Sequence, residues 1–391
     1  MNISNCPNCR KWIVLFSAAC AVVFIQVIVL TVLISRRVSD ENTAIPKAYQ
    51  SASVGQMSSG TPNELLLKYA EQGEATYVES VLKQNPTLDV NRPRAEGNKT
   101  ALYLACEKGY SDIVKLLLER KADAMICDAA PSSLRDAMKY SALTVAARNG
   151  NVEVMKLLLS SGVDRESRDD ASRTALWTAA ANNKPNVVQC LCEAKANVNA
   201  YGRNKETPLS IAVYRCYVEV VKTLLTYGEG IDLEICAGSQ NLTPLFRAVK
   251  DNQPEIVELL CKAGAKVNVY SEDSTPLTKA ASEGYTEIVK TLLTYGKGID
   301  VEMKPKSGWK ATPLFYAAYG GHTEVVEDLC KVGADLNAGC EYGIKWETPI
   351  SIASIQGHED VVKVLKKYEK ERRNPKGSQE SSRKKLENLL K

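Results

Sequence analysis

The sequence predicts an all-α solenoid of about nine helix-turn-helix units with β-turn or hairpin tips, preceded by one transmembrane helix. Three observations predict it. A Thr-Pro-Leu-type triplet recurs eight times between Thr100 and Leu365, a left-handed stop follows nine residues after the Thr or Ser of each triplet, and residues 12–34 carry no charge. A period near 33 residues is the mark of stacked units, none of which could bury its apolar face alone.

The triplets are Thr100-Ala101-Leu102, Ser141-Ala142-Leu143, Thr174-Ala175-Leu176, Thr207-Pro208-Leu209, Thr243-Pro244-Leu245, Thr275-Pro276-Leu277, Thr312-Pro313-Leu314 and Thr348-Pro349-Ile350, spaced by 41, 33, 33, 36, 32, 37 and 36. A hydroxyl at a helix start accepts a bond from a free amide, and Pro beside it has no amide to leave unpaired. Each triplet therefore opens a short first helix. Paired small residues such as Ala179-Ala180, Ala280-Ala281 and Ala317-Ala318 let neighbouring helices approach. Gly109, Gly150, Asn183, Cys216, Asn252, Gly284, Gly321 and Gly357 then end it. Gly and Asn suit a left-handed stop, whereas Cys216 predicts a strained or differently shaped turn.

A second helix follows with apolar residues at helical spacing, as in Ile113-Val114 with Leu116-Leu117, Ile256-Val257 with Leu259-Leu260, and Val325-Val326 with Leu329. Closing segments such as Ala196-Asn197-Val198-Asn199 and Gly333-Ala334-Asp335-Leu336-Asn337 supply the turn to the next triplet. Glu64–Leu82 reads as a degenerate ninth copy and N-terminal cap, and Val361–Arg373 as a C-terminal cap. A longer period is superposed. Glu219–Glu234 and Glu287–Glu302 are nearly the same text 68 residues apart, which points to duplication of a two-unit block.

Thr-Pro-Leu, Ala-Ala, Gly-His at Gly321-His322 and Gly357-His358, Leu-Leu and Gly-Ala-Asp together resemble the ankyrin repeat family over residues 62–368. The chain departs from that family where a His usually follows the triplet. Tyr103, Thr144, Trp177, Ser210, Phe246, Thr278, Phe315 and Ser351 stand there, so the turn-bracing hydrogen bonds of that His are not expected in their usual form. The resemblance implies protein binding by turn tips and the exposed ends of first helices, which line one concave side. Carried over position by position, the protein-binding residues are Glu107, Lys108, Tyr140, Arg148, Asn149, Arg203, Asn204, Tyr214, Arg215, Lys250, Asp251, Trp309 and Tyr319. Tyr214, Arg215, Trp309 and Tyr319 lead this set, because Tyr, Trp and Arg most often anchor interfaces.

The 23 residues from Trp12 to Ile34 reach about 34 Å as a helix, enough to span a bilayer. Arg36-Arg37 closes the run where a cleaved signal would show small residues. The domain organisation expected is a short segment 1–11, a transmembrane helix 12–34, a flexible linker 35–61 rich in Ser, Thr, Ala and Gly, the repeat domain 62–368 and a basic tail 369–391. The linker would let the array search near a membrane. The alternative for the same apolar segment is an export signal on a secreted binding protein or effector.

The formal charge of +4 is unevenly placed, with basic ends and an acidic middle, which argues against a nucleic-acid groove along the array. Nine of twelve cysteines lie in the array, several at small apolar positions such as Cys106, Cys190, Cys261 and Cys330. Free buried thiols are expected, and with them a cytoplasmic array on a single-pass membrane protein. Cys6-Pro7-Asn8-Cys9 is at most half a zinc site. The two histidines of the chain, His322 and His358, fall on structural turns. No phosphate loop, zinc-protease helix or nucleophile elbow is present in the sequence. The expectation is a non-enzymatic scaffold with no catalytic residues, no cofactor, no metal site, no small-molecule substrate and protein partners.

Overall fold

The computed structural model describes residues 60–94, 98–126, 141–169, 171–202 and 204–373. The chain divides between Gly60 and Thr61 into two units, and every helix below belongs to the second. The expected transmembrane helix 12–34, nearly all of the linker 35–61, the Cys6/Cys9 pair and the tail beyond Arg373 lie outside the described residues.

Among the described residues nine helix pairs follow one another. The first three are α1 (Pro62–Gln72) with α2 (Ala75–Gln84), α3 (Ala101–Lys108) with α4 (Ser111–Glu119), and α5 (Ala142–Asn149) with α6 (Val152–Ser160). The middle three are α7 (Ala175–Ala181) with α8 (Pro185–Glu193), α9 (Pro208–Tyr214) with α10 (Val218–Tyr227), and α11 (Pro244–Lys250) with α12 (Pro254–Lys262). The last are α13 (Pro276–Glu283) with α14 (Thr286–Tyr295), α15 (Pro313–Tyr319) with α16 (Thr323–Lys331), and α17 (Pro349–Ile355) with α18 (Glu359–Arg373). Strands β1 (Cys340–Tyr342) and β2 (Lys345–Glu347) form a hairpin before α17. First helices pack on first helices of the next unit, and second on second.

The start of each first helix is made as the sequence predicts. Thr100, Ser141, Thr174, Thr207, Thr243, Thr275, Thr312 and Thr348 each accept a bond from the amide three residues on, at 3.1–3.4 Å. Thr61 does the same for α1, and the Glu64 carboxylate accepts from the Thr61 amide in return. The degenerate copy therefore begins at Thr61-Pro62, three residues before Glu64, and its apolar face is the expected one, with Leu65, Leu66, Tyr69, Ala70, Val78, Val81 and Leu82 buried.

Where the family's His is missing, the chain braces its turns in two other ways. The Ser210 and Ser351 hydroxyls accept from the cap amides of Thr207 and Thr348 at 2.8 Å, and the Thr144 and Thr278 hydroxyls pair with the hydroxyls of Ser141 and Thr275. Tyr103, Trp177, Phe246 and Phe315 are buried instead, exchanging a polar brace for apolar burial.

All eight stops have positive φ, from 53° at Asn252 to 88° at Gly150. Cys216, at 58°, lies within a few degrees of Asn183 at 54° and Asn252 at 53°, so its turn keeps the common shape and the residue carries the strain. The paired alanines are fully buried. Cys106, Cys192, Cys261, Cys330 and Cys340 are buried free thiols, but Cys190, expected inside, is half-exposed, because the buried face of α8 is made by Val187, Val188, Leu191 and Cys192.

The turn tips are tied unit to unit by side chains that the sequence did not single out. Glu166, Glu234 and Glu302 accept from the amides of Asn197, Lys266 and Asp335 at 2.7–2.8 Å. Asn199 and Asn268 alternate with them, each accepting from one amide, of Asp232 and Asp300, and donating to one carbonyl, of Gly230 and Gly298. The two-unit period thus has a physical counterpart, an alternation of Glu and Asn ties. At the C-terminal end Arg372 donates to the carbonyls of Ala334 and Cys330, holding α18 on α16 through Arg373.

Candidate protein-binding surface

The position seven residues after each triplet Thr or Ser lies at the exposed end of a first helix, beside the tips. Glu107, Arg148, Tyr214, Lys250 and Tyr319 occupy it in their units. Of the thirteen residues the sequence nominates, Tyr140 and Arg203 lie outside the described residues.

Several of the others are engaged within the array. Asn149 donates to the Glu107 carbonyl at 2.7 Å, and Arg215 donates to the Ala181 carbonyl at 2.9 Å, both across a unit boundary. Glu107 is paired with Lys99, and Lys250 with Glu272. Lys108 and Arg148 are exposed at the ends of α3 and α5. These side chains present polar surface, with part of their hydrogen-bonding capacity already used.

Tyr214 is different. Its ring is 58% exposed, and the Arg247 guanidinium stacks on it with its carbon 4.4 Å from the centroid. Arg247 is held there by the Asp251 carboxylate, 2.6 Å from Nε, and by Gln240 Oε1, 3.2 Å from Nη1. Tyr214, Arg247 and Asn204, with the turn Gly238–Gln240 and the apolar Ile211, Leu242 and Pro244, line a groove of about 370 Å³. The structure thereby brings Asn204 and Tyr214 to one groove, with Asp251 joined to it through Arg247. Arg247 and Gln240 were missed, although an Arg four residues before Asp251 on one helix was a visible pairing signal.

Trp309 and Tyr319 meet in a second place. Trp309 stacks on Tyr316 at 5.8 Å and takes Tyr319 and Tyr342 edge-on at 4.7 and 5.1 Å. Tyr319 and Tyr342 share a hydrogen bond, which raises the Tyr319 phenol above its ordinary pKa. Tyr342 of the hairpin belongs to this cluster, whereas Ile344 and Trp346 of the hairpin and Ile355 of α17 are exposed; the sequence reading passed over all four because they belong to tips and to the last, least regular triplet.

Both histidines are structural. His322 Nε2 lies 3.1 Å from the Ser282 carbonyl and His358 Nε2 2.9 Å from the Tyr319 carbonyl, each bridging to the preceding unit. Asn151 makes the same bridge to the Cys106 carbonyl. Burial pushes the thiols of Cys192, Cys261 and Cys330 up to about 11. Among the described residues no group of three or more His, Cys, Asp and Glu is placed to hold a metal ion, and no helix is long and apolar enough to cross a membrane.

A family model described as "Ankyrin repeats (3 copies)" matches in overlapping placements at residues 38–128, 64–169, 124–201, 143–237, 197–271, 232–305 and 277–375. Among curated proteins, the ankyrin repeat and KH domain-containing protein mask-1 of Caenorhabditis elegans is 31% identical over 204 residues, 52% of this chain and 7% of its own length. The B-cell lymphoma 3 protein homolog of Mus musculus is 34% identical over 151 residues, 38% of this chain and 32% of its own. The nuclear factor NF-kappa-B p105 subunit of Gallus gallus is 30% identical over 181 residues, 46% of this chain and 17% of its own. The matched segments span less than half the length of each relative.

Proposed function

The chain belongs to the ankyrin repeat family, and we propose that it is a non-enzymatic scaffold that binds proteins on the face made by its turn tips and first-helix ends, held at a membrane by residues 12–34. The observation that carries the binding face is the Tyr214 groove. An exposed ring with a guanidinium fixed on it by two further partners is an anchor whose geometry is set before binding, so little side-chain entropy is lost when a partner arrives. Apolar floor and polar rim are the usual composition of such a point. The family binds proteins in general through this kind of face, while its ligands vary from member to member.

The membrane part rests on the uncharged run Trp12–Ile34 and the Arg36-Arg37 that follows it. The free thiols of the array are consistent with a cytoplasmic side.

A photo-crosslinking amino acid at Tyr214 in cells tests the first part. A discrete protein adduct is expected from Tyr214, and none from Lys222 on the second helix of the same unit. Adducts from Lys222 with none from Tyr214 would move binding to the other face and overturn the assignment. Alkaline extraction tests the second part: the full chain should stay with the membrane pellet and a chain lacking residues 1–37 should leave it.

A further inference from the structure

The units of the array are not packed evenly. Between the fifth unit, α9 with α10, and the sixth, α11 with α12, the first helices pack less extensively than any other consecutive pair of first helices. The second helices, α10 and α12, pack less extensively than α8 with α10 or α12 with α14. No other boundary among the described residues has less helix packing.

Two local causes are visible. The connection from Tyr227 to Pro244 is longer than those from Glu193 to Pro208 and from Lys262 to Pro276, so it draws α12 less tightly onto α10. The second cause is a missing bridge. Asn151, His322 and His358, each directly after a stop, are hydrogen-bonded to a carbonyl of the preceding unit. The sixth unit has Gln253 in that place, and its Oε1 is buried with no hydrogen-bond partner, a cost that the other bridges do not carry. The boundary between the seventh and eighth units shows the contrast. Its connection, from Tyr295 to Pro313, is no shorter, yet α13 and α15 pack more extensively than any other first helices, and His322 supplies the bridge.

The Tyr214 groove is the gap left at the loose boundary, with Ser210, Ile211 and Tyr214 of α9 on one wall and Pro244 and Arg247 of α11 on the other. Polar contacts cross the boundary: the Arg247 guanidinium on the Tyr214 ring, the Gly238 amide donating to the Asn204 carbonyl at 3.1 Å, and the Lys266 amide donating to Glu234 at 2.8 Å. Such contacts restrain weakly at a surface, and sparse packing is the physical mark of a boundary that moves.

We propose that the array bends between its fifth and sixth units and that the Tyr214 groove opens and closes with the bend. A protein partner seated there, with Tyr214 on one side and Arg247 on the other, then fixes the angle between the first five units and the last four. A ligand that touches both sides of a hinge stabilises the position in which it makes both contacts. The role of the partner rests on the reading that the groove binds a protein; the bend does not.

The test uses the full chain in nanodiscs, with spin labels clicked onto an azido amino acid at two exposed positions in first turns of second helices. Double electron–electron resonance in frozen solution then reads the distribution of distances whatever the rate of motion. Asn186 and Glu287 stand three units apart across the boundary, whereas Asp112 with Glu219, and Glu255 with Asp360, stand three units apart on either side of it. The first pair should give a broader distribution than the other two. Gln253→His should narrow it, by offering a ring to the carbonyl of Tyr214, which lies two residues before its stop as Ser282 and Tyr319 lie before theirs. Arg247→Ala, which removes the stack on Tyr214, should broaden it. Equal widths for all three pairs, or a width that neither substitution moves, overturns the bend. The photo-adduct from Tyr214 should rise in Gln253→His, and a narrowed distribution with an unchanged adduct overturns the coupling of bend to binding. No adduct from either chain overturns the groove as a binding site, and the coupling with it, while the widths still decide the bend.

Discussion

Gly321 and Gly357 hold the same place in adjacent units and nearly the same backbone, φ 74° and 78°, yet alanine should cost different amounts at the two. A methyl at Gly357 meets nothing within 4 Å. Its cost is the left-handed penalty of about 1–2 kcal/mol, reduced by about 0.5–1 kcal/mol because alanine stiffens the unfolded chain. About 1 kcal/mol of destabilisation remains by that arithmetic. At Gly321 the same methyl would lie 2.6 Å from Nδ1, 2.7 Å from Cε1 and 2.9 Å from Cγ of His358. The ring must move, which breaks the bond from His358 Nε2 to the Tyr319 carbonyl, a further loss of about 1 kcal/mol. Gly321→Ala should therefore destabilise by about 2 kcal/mol, and by about 1 kcal/mol once His358→Ala has removed the obstacle. Urea unfolding followed by circular dichroism measures the whole array, and amide exchange in α15 and α18 reads the local effect, which matters because repeat arrays can open in parts. Equal costs at the two glycines, or a Gly321→Ala cost unchanged by His358→Ala, would refute the account of this turn.

The Asn ties should behave as two-bond staples: Asn199→Ala or Asn268→Ala removes an accepted and a donated bond and should cost about 1–2 kcal/mol, with faster amide exchange at Asp232 or Asp300 respectively. Thr312→Val keeps the shape of a fully buried cap but takes away the acceptor for the Phe315 amide, and about 1–2 kcal/mol should be lost in urea unfolding. Thiol labelling should follow burial and protonation. At pH 8 the exposed Cys216 should react with iodoacetamide first, whereas Cys261 and Cys330, whose pKa near 11 keeps them as neutral thiols at that pH, should react only after unfolding, as peptide mass spectrometry would show.

The legible part of the fold was the part written in local chemistry. A hydroxyl three residues before a free amide, a Pro with no amide to satisfy and a Gly or Asn nine residues on are each decided within one turn of chain, so the boundaries of the first helices and their stops follow from the residues alone. Cys216 shows the limit of that reasoning. Its own preference argues against a left-handed turn, and the helices on either side, α9 and α10, impose one. Thr61 was equally visible as a cap, but its unit lacks the Leu of the triplet, with Asn63 in its place, and so reads as degenerate.

The binding surface was less legible. Tyr214 and Asn204 could be nominated by position in the repeat, but the groove they share depends on Arg247, held by Asp251, reaching back from the next unit onto the Tyr214 ring. Asn149 and Arg215, nominated on the same grounds, turned out to spend hydrogen bonds on the neighbouring unit. The Ile344–Trp346 tip gave no periodic signal, since a hairpin tip is where the repeat pattern is interrupted.

By itself the sequence determined that this chain is an ankyrin array, where the first helices begin and stop, and that both histidines serve the fold. Only the tertiary structure decided which exposed side chains are free to bind and which are consumed in holding units together. The reason is range. Caps and stops are settled by atoms three to nine residues apart, whereas Asn199 to Gly230, Arg215 to Ala181 and Arg247 to Tyr214 are meetings some thirty residues apart that exist only once the units are stacked.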